Sequence, residues 1–443
     1  MTVEVNSAND FSDLVRIDEG LIHSSVYTSE AIFELELARI FHRWWVYVGH
    51  ESEVAQPGDY CLKWIGRQSV IMTRSEDGTI HLLMNRCRHR GATVCQADKG
   101  SSHFFKCQYH GWTYSNDGEL IGLPHAAAFG TSFDKGSYGL TRVPRVGEYR
   151  GFLFASLSPT GVSLDEHLGH STRFIDDFLA ASPEGRIRLS AGIQRTQFKG
   201  NWKLVGQDAY HPAVTHRSVQ EISQRRAGTR PGSTTASSDL HKDLNKIYAQ
   251  GSPSLSWDLG GGHGRLDNYP SKLPRTPALL EKIRSTEHGR IYLELLAEVH
   301  GEEHVGEVLN RSDPHMSIWP NLMITSSQVR NTRPLAAGLT AVDMWPAFLD
   351  GVPAEVNSER LRGHEAFFGA ASLGSPDDYE VFERIHVGLQ ATVDPWVLMS
   401  RGLETEQRHP DGTIVGAITD EVSQRAQLRQ WLKVMSLDVE AAL

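Results

Sequence analysis

Two short segments restrict the fold of this chain more than anything else in it: Cys87-Arg88-His89-Arg90-Gly91 and Cys107-Gln108-Tyr109-His110-Gly111-Trp112. Each carries one thiol and one imidazole, and 17 residues separate His89 from Cys107. Side chains placed this way meet at one centre only where a scaffold holds two loops side by side, each turning at its glycine. The fold has to supply that scaffold, and the ligand types decide what the loops hold.

The 443-residue chain has four cysteines, Cys61, Cys87, Cys95 and Cys107, too few for a disulfide framework at this length. Clustered thiols in a reducing compartment more often bind metal. A structural zinc ion accepts two Cys and two His, but zinc fingers commonly group the Cys together and the His together. Here each half carries one of each, which is what a Rieske [2Fe-2S] cluster requires, since one iron takes both thiolates and the other both imidazoles. Cys61 and Cys95 have no partner at ligand spacing and read as small buried hydrophobes.

Around these loops the sequence reads as a small antiparallel β domain. Residues 44–50, 69–73, 80–85 and 151–157 are β-branched and aromatic runs, separated by turn signals at Pro57-Gly58, Asp77-Gly78 and Asp117-Gly118. A helix leads in, with Ser29 as N-cap and Phe33, Leu37, Ile40 and Phe41 forming one apolar stripe. Beyond residue 157 the pattern changes. Strand-forming runs at 321–329 and 339–345 mix with helical stretches near 287–299, 376–390 and 420–435, giving an α+β domain. The expected division is an N-terminal segment at 1–40, a β domain at 41–157 and an α+β domain at 158–443. Residues 225–275 are rich in Gly, Ser and Pro and read as one long loop.

A formal charge of −10 and the lack of any Lys/Arg block argue against a nucleic-acid partner. The N-terminus lacks the features of a secretory signal, and no run approaches the roughly 18 apolar residues of a membrane span. A cytoplasmic protein is expected.

A second candidate centre lies in residues 201–216, where Asp208-x-x-His211 is followed by four residues and His216. The chain has 21 histidines, so the pair means little by itself. On an ideal helix the two positions would differ by roughly 140° and share no face, and Pro212 disfavours helix at His211. Convergence therefore needs a break in the helix. Two His and one carboxylate on one face of a metal define the non-haem Fe(II) oxygenase arrangement. Asp377 and Asp378 could supply the carboxylate. Their segment also reads as a plain helix start, with Ser375 as N-cap, Pro376 next, and acids in the first turn facing the macrodipole.

The loops C-x-H-R-G and C-x-Y-H-G-W resemble those of the Rieske domain of ring-hydroxylating oxygenase large subunits. Asn201-Trp202-Lys203, Asp208 to His216, and an Asp pair about 160 residues later are similar to the catalytic domain of the same enzymes, the aromatic ring-hydroxylating dioxygenases of the naphthalene and benzoate type. The resemblance implies a catalytic domain of helix-grip type with an antiparallel sheet. It implies that His211, His216 and Asp378 bind a mononuclear Fe(II), with Asp377 the fallback. It also implies that Asp208 bridges His110 and His211 across the subunit boundary of a trimer, with or without a small β subunit. O2 is then the co-substrate, and residues 400–431 resemble large subunits acting on benzoate-like acids. The expected reaction is cis-dihydroxylation of an aromatic carboxylate. The alternatives are dihydroxylation of a neutral arene, hydroxylation of a salicylate-like ring, and a Rieske electron carrier with no oxygenase activity. Arg330 or Arg333 could pair with a substrate carboxylate, although each reads first as a surface or structural residue. Gly260-Gly261-Gly262-His263-Gly264 does not fit a dinucleotide fingerprint. Electrons from NAD(P)H must therefore arrive through a separate reductase, directly or through a ferredoxin.

Overall fold

The computed structural model describes residues 11–208, 251–370, 372 and 374–437. It divides into two compact units, residues 37–164 and the chain that precedes and follows them.

The smaller unit is built from three antiparallel sheets. One holds Ile80–Met84, Gln68–Arg74, Asp59–Ile65 and Lys99–Ser101 in that order, and a second holds Arg145–Tyr149, Phe152–Ser156 and Val46–His50. The third, Leu120–Gly122, Thr113–Ser115 and Phe104–Lys106, carries the second Cys/His loop on its connection. The turn signals act where the sequence places them. Ser75 and Thr79 close one hairpin, N–H to carbonyl, at 2.9 Å, and Ser115 and Glu119 close another at 2.9 Å. Between the sheets lies a core of Ile71, Leu83, Phe105, Trp112, Tyr114, Leu120 and Leu140 that also takes in Cys87, Cys95 and Cys107.

The larger unit is organised on a nine-stranded antiparallel sheet. Its order is Gln194–Phe198, Leu339–Pro346, Gln328–Ala336, Leu322–Thr325, His315–Ile318, Gly264–Asp267, Leu255–Asp258, Ile414–Ala417 and Gln407–Arg408. Register decides which side chains share a face: Arg330 lies opposite Met344 on one neighbour and Met323 on the other. Two helices cover that face. Ser375–Gly388 rests there through Tyr379, which stacks on Phe198 at 5.6 Å, and Val422–Met435 through Gln427, which donates to Ser317 at 3.1 Å. The opposite face receives Thr172–Leu179, whose Phe174 lies 3.9 Å beneath the Arg265 guanidinium. Helices on both faces of an antiparallel sheet in one unit, and an all-β fold in the other, make the α+β architecture expected from the sequence.

The N-terminal helix begins as expected, with the Ser29 hydroxyl accepting from the Ile32 N–H at 3.3 Å. It does not run on as one regular helix. Glu30–Glu36 is α-helical and Leu37–Phe41 is a π-helical turn. Glu36, on the apolar side, is fully buried and accepts from Trp202 Nε1 at 2.7 Å, from Trp431 Nε1 at 2.6 Å and from the Lys203 ammonium. A carboxylate with three donors is a satisfied buried charge.

Three other local readings differ from the sequence expectation. The run 321–329 is a hairpin rather than one strand, with Ser326 at φ 53° between Leu322–Thr325 and Gln328–Ala336. Within the supposed long loop, residues 251–275 contain the hairpin Leu255–Asp258 and Gly264–Asp267 and a short helix at Tyr269–Lys272. The glycine run at 260–262 turns that hairpin, so it joins two strands and leads into no helix. Ser375 is the first helical residue and Gly374 the cap. The Ser375 hydroxyl faces inward, 3.9 Å from Met344 Sδ, and caps nothing. Among the described residues no helix is long and apolar enough to cross a membrane.

Candidate iron centres

The two Cys/His loops share one backbone frame. In the first, the Cys87 N–H donates to the Ala92 carbonyl at 2.8 Å and the Gly91 N–H to the Cys87 carbonyl at 3.0 Å. In the second, Cys107 N–H donates to Trp112 at 2.8 Å and Gly111 N–H to Cys107 at 2.9 Å. Each is a six-residue loop closed at the same two places. Gly91 and Gly111 hold φ of 81° and 70°, a conformation that an L side chain adopts only at a cost. The histidine stands two residues after the cysteine in one loop and three after it in the other.

This frame turns the thiols inward and the imidazoles outward. Cys87 and Cys107 are each 3% exposed, whereas His110 is exposed and His89 half-buried. The thiols form one pair, near enough for Cys87 to act on the ionisation of Cys107. Burial raises the Cys107 thiol above its ordinary value and Cys87 adds to that, against N–H groups of Tyr109 and His110 that favour the thiolate. The imidazoles form a second pair, with ring centroids 4.8 Å apart. Desolvation, then His89 and Arg90, hold His110 below the usual imidazole value, which favours the neutral, metal-binding form. Among the described residues no three His, Cys, Asp or Glu side chains gather as a single ion would require. A thiol pair and a separate imidazole pair suit two irons, one thiolate-bound inside and one imidazole-bound outside, better than one tetrahedral zinc.

Two neighbours fix the site. The Tyr114 hydroxyl lies 3.2 Å from Cys87 Sγ and accepts from the Arg88 N–H at 3.0 Å. Toward a Cys87 thiolate, which carries no proton, the Tyr114 hydroxyl is the donor of this contact. His89 stacks on Trp112 at 5.1 Å and 8°, which sets its ring plane. The sequence signal for Tyr114 was alternation, since it stands two residues beyond Trp112 at the next inward position of a strand. Nothing in the sequence said that its hydroxyl would reach Cys87. Cys61 and Cys95 are buried as expected, and burial pushes the Cys61 thiol up to about 12.

Of the second centre, Asp378 is described, and His211 and His216 lie outside the described residues. Asp208 ends the helix Lys203–Asp208, and its side chain is also outside them. Asp377 and Asp378 are half-buried in the first turn of Ser375–Gly388. The Asp378 N–H donates to the Gly374 carbonyl at 3.0 Å. The carboxylate stands next to Tyr379, whose ring packs on the covered face of the sheet. Burial, countered by Arg330, raises the Tyr379 phenol, and Asp378 adds to the rise. Arg330 itself is 4% exposed, so of the surface and structural readings its sequence context suggested the surface one is excluded.

Residues 44–144 match the family "Rieske [2Fe-2S] domain" and residues 182–413 the family "Ring hydroxylating alpha subunit (catalytic domain)". The chain is similar to the 2-halobenzoate 1,2-dioxygenase large subunit of Burkholderia cepacia, 34% identical over 387 residues, covering 85% of this chain and 79% of the relative. It is also similar to the N,N-dimethyl phenylurea N-demethylase subunit alpha of Sphingobium sp. strain YBL2, 30% identical, covering 97% of this chain and 95% of the relative. In fold it matches naphthalene 1,2-dioxygenase from Rhodococcus sp. bound to indole, with a TM-score of 0.76 and 23% identity over 95% of each chain. A Cys/His loop pair in the smaller unit, an acidic first turn on a helix that covers the sheet, and both family matches lead to one assignment. The chain belongs to the ring-hydroxylating alpha subunits, Rieske non-haem iron oxygenases that use a [2Fe-2S] cluster, a mononuclear iron, O2 and reductase-supplied electrons.

Proposed function

We propose that this terminal oxygenase dihydroxylates an aromatic carboxylate, with His211, His216 and Asp378 holding the mononuclear iron. Cys87, His89, Cys107 and His110 hold the cluster. When bound, the two iron groups supply electron storage and O2 activation. The protein's part is to hold two imidazoles outward, to keep the thiolates dry, and to carry a half-buried carboxylate in the first turn of a helix that packs on the sheet.

The observation that carries this reading is the paired loop frame, two buried thiols and two outward imidazoles on identical six-residue turns, in a chain whose larger unit matches the ring-hydroxylating family. The substrate class rests on the similarity to a relative named for 2-halobenzoate. A second reading, oxidative N-demethylation, is favoured by the N-demethylase that aligns with 97% of this chain. An ionised Asp208 between His110 of one subunit and His211 of the next would fix both rings and raise their basicity, as carboxylates behind metal-bound imidazoles do. That arrangement implies a homotrimer, with or without a β subunit.

The test is a substrate screen with iron-loaded protein and a surrogate reductase, following O2 uptake and product. Benzoate, 2-chlorobenzoate, anthranilate, salicylate, biphenyl and an N,N-dimethyl phenylurea separate the classes. The expected product is a cis-dihydrodiol, or the catechol derived from it, from an acid. Turnover of the urea alone selects demethylation, and turnover of biphenyl alone removes the carboxylate.

A further inference from the structure

The larger unit buries several cationic side chains, and all but one have a carboxylate beside them among the described residues. Lys203 is paired with Glu36, Arg425 with Glu406 at 2.8 Å, and Arg265 with Asp267 and Asp177 at 3.6 and 3.8 Å. Arg330 has none. It is 4% exposed, its Nε carries no hydrogen bond, and its guanidinium lies 5.0 Å from the centre of the Phe368 ring. A buried charge without a counter-ion is costly, and removing one partner of such a pair typically costs several kcal/mol. A protein tolerates this where a ligand brings the missing charge.

A second observation points to the same place. His364, in the helix Ala354–Phe368, is 1% exposed, yet neither ring nitrogen has a partner among the described residues. Its ring lies 6.0 Å from that of Phe368, so His364 and Arg330 share one aromatic neighbour. Burial and the nearby Arg330 lower His364 to about 4, which keeps it neutral with one N–H donor and one acceptor. The surroundings mix apolar and uncharged polar groups, with buried Gln328 and Thr332 flanking Arg330 on the same face of its strand. Met323 and Met344 are the cross-strand partners of Arg330, and Tyr379, the neighbour of Asp378, senses its charge. A mostly apolar wall with one fixed cation and a few polar atoms is how a protein receives a small aromatic anion.

We propose that Arg330 receives the carboxylate of the aromatic substrate and so selects acids over neutral rings at this site. The assignment rests on the reading that the substrate is an aromatic acid. A guanidinium offers a planar fork that matches a carboxylate in two parallel hydrogen bonds. His364 beside it adds a polar contact without a competing charge.

The experiment uses the iron-loaded enzyme and compares wild type with Arg330→Gln and Arg330→Lys. Calorimetry measures binding of benzoate and of benzamide, a neutral ligand of the same shape, and turnover of benzoate is followed in parallel. For Arg330→Gln the preference for benzoate over benzamide falls about 100-fold. The loss appears in KM more than in kcat, while iron content and melting temperature are kept. Arg330→Lys restores part of the preference. An unchanged preference, or equal losses for both ligands, overturns the assignment of Arg330 while benzoate turnover by wild type leaves the substrate class intact. A wild type that hydroxylates neutral arenes and no aromatic acid overturns the substrate class first, and the role of Arg330 with it.

Discussion

At the scale of single residues, the centres depend on atoms that motif spacing does not register. Tyr114 is the clearest case, because its hydroxyl stabilises the electron-rich sulfur of Cys87 less when the sulfur gives up charge than when it holds it. A hydrogen bond to a cluster sulfur favours the reduced state and raises the potential. Tyr114→Phe should lower the midpoint potential by roughly 40 mV, the one-electron equivalent of about 1 kcal/mol. Protein-film voltammetry checks this, and an unchanged potential would show the contact to be idle. For Asp378, Asp378→Ala should leave the two irons of the cluster and lose the third, read by metal analysis beside an unchanged cluster spectrum. Retention of all three irons would move the ligand to Asp377. The two paired Cys/His loops were legible in the sequence because metal chemistry fixes residue type and local spacing. Tyr114 was not, since it acts on a partner reached only through sheet packing, and for Arg330 the sequence offered a pairing with substrate but not its burial.

Among the elements, the N-terminal helix shows what an apolar stripe can conceal. Its start and inner face follow from Ser29, Phe33, Leu37 and Ile40, but Glu36 on that face joins Trp202, Lys203 and Trp431. Burial lowers the Lys203 ammonium from its ordinary value while Glu36 raises it. Glu36→Gln leaves that ammonium unpaired in the core and should cost about 3–5 kcal/mol, measured by urea unfolding. Adding Lys203→Met should recover most of the loss. Failure of the double variant to recover would mean that the two tryptophan bonds carry the effect. Helix positions near 287–299, 376–390 and 420–435 were legible because three-turn periodicity is a local property. The hairpin at Ser326 was not, because a turn built on two serines has no Gly, Asn or Pro to mark it.

For the whole molecule, buried histidines set a pH window. The folded protein holds His50 down to about 3 and both His263 and His364 to about 4, in each case first through burial, against an ordinary value of 6.5. The unfolded chain therefore binds protons more readily between these values. Stability is complete above pH 6.5 and is lost as pH falls toward 4, by up to roughly 3 kcal/mol for one such imidazole. Urea midpoints of the iron-loaded protein between pH 7.5 and 4.5 should show the decline, and His263→Gln should flatten it. A profile equally steep in that variant would assign the decline to other groups. Asp208→Asn probes the proposed link between the two centres: all three irons retained, the fold unchanged, and turnover nearly abolished in steady-state assays. Undiminished turnover removes the bridge.

By itself the sequence determined that two Cys/His loops stand in a β unit and that an α+β unit follows. These are consequences of ligand chemistry and of hydrophobic period, both written over a few neighbouring residues. Only the tertiary structure decided that the thiols turn inward while the imidazoles face out, that Glu36 ends among three donors, and that Arg330 is buried without a carboxylate among the described residues. Burial and charge pairing depend on strands and helices far apart in the chain arriving at one place, and no local pattern records which partner will be there.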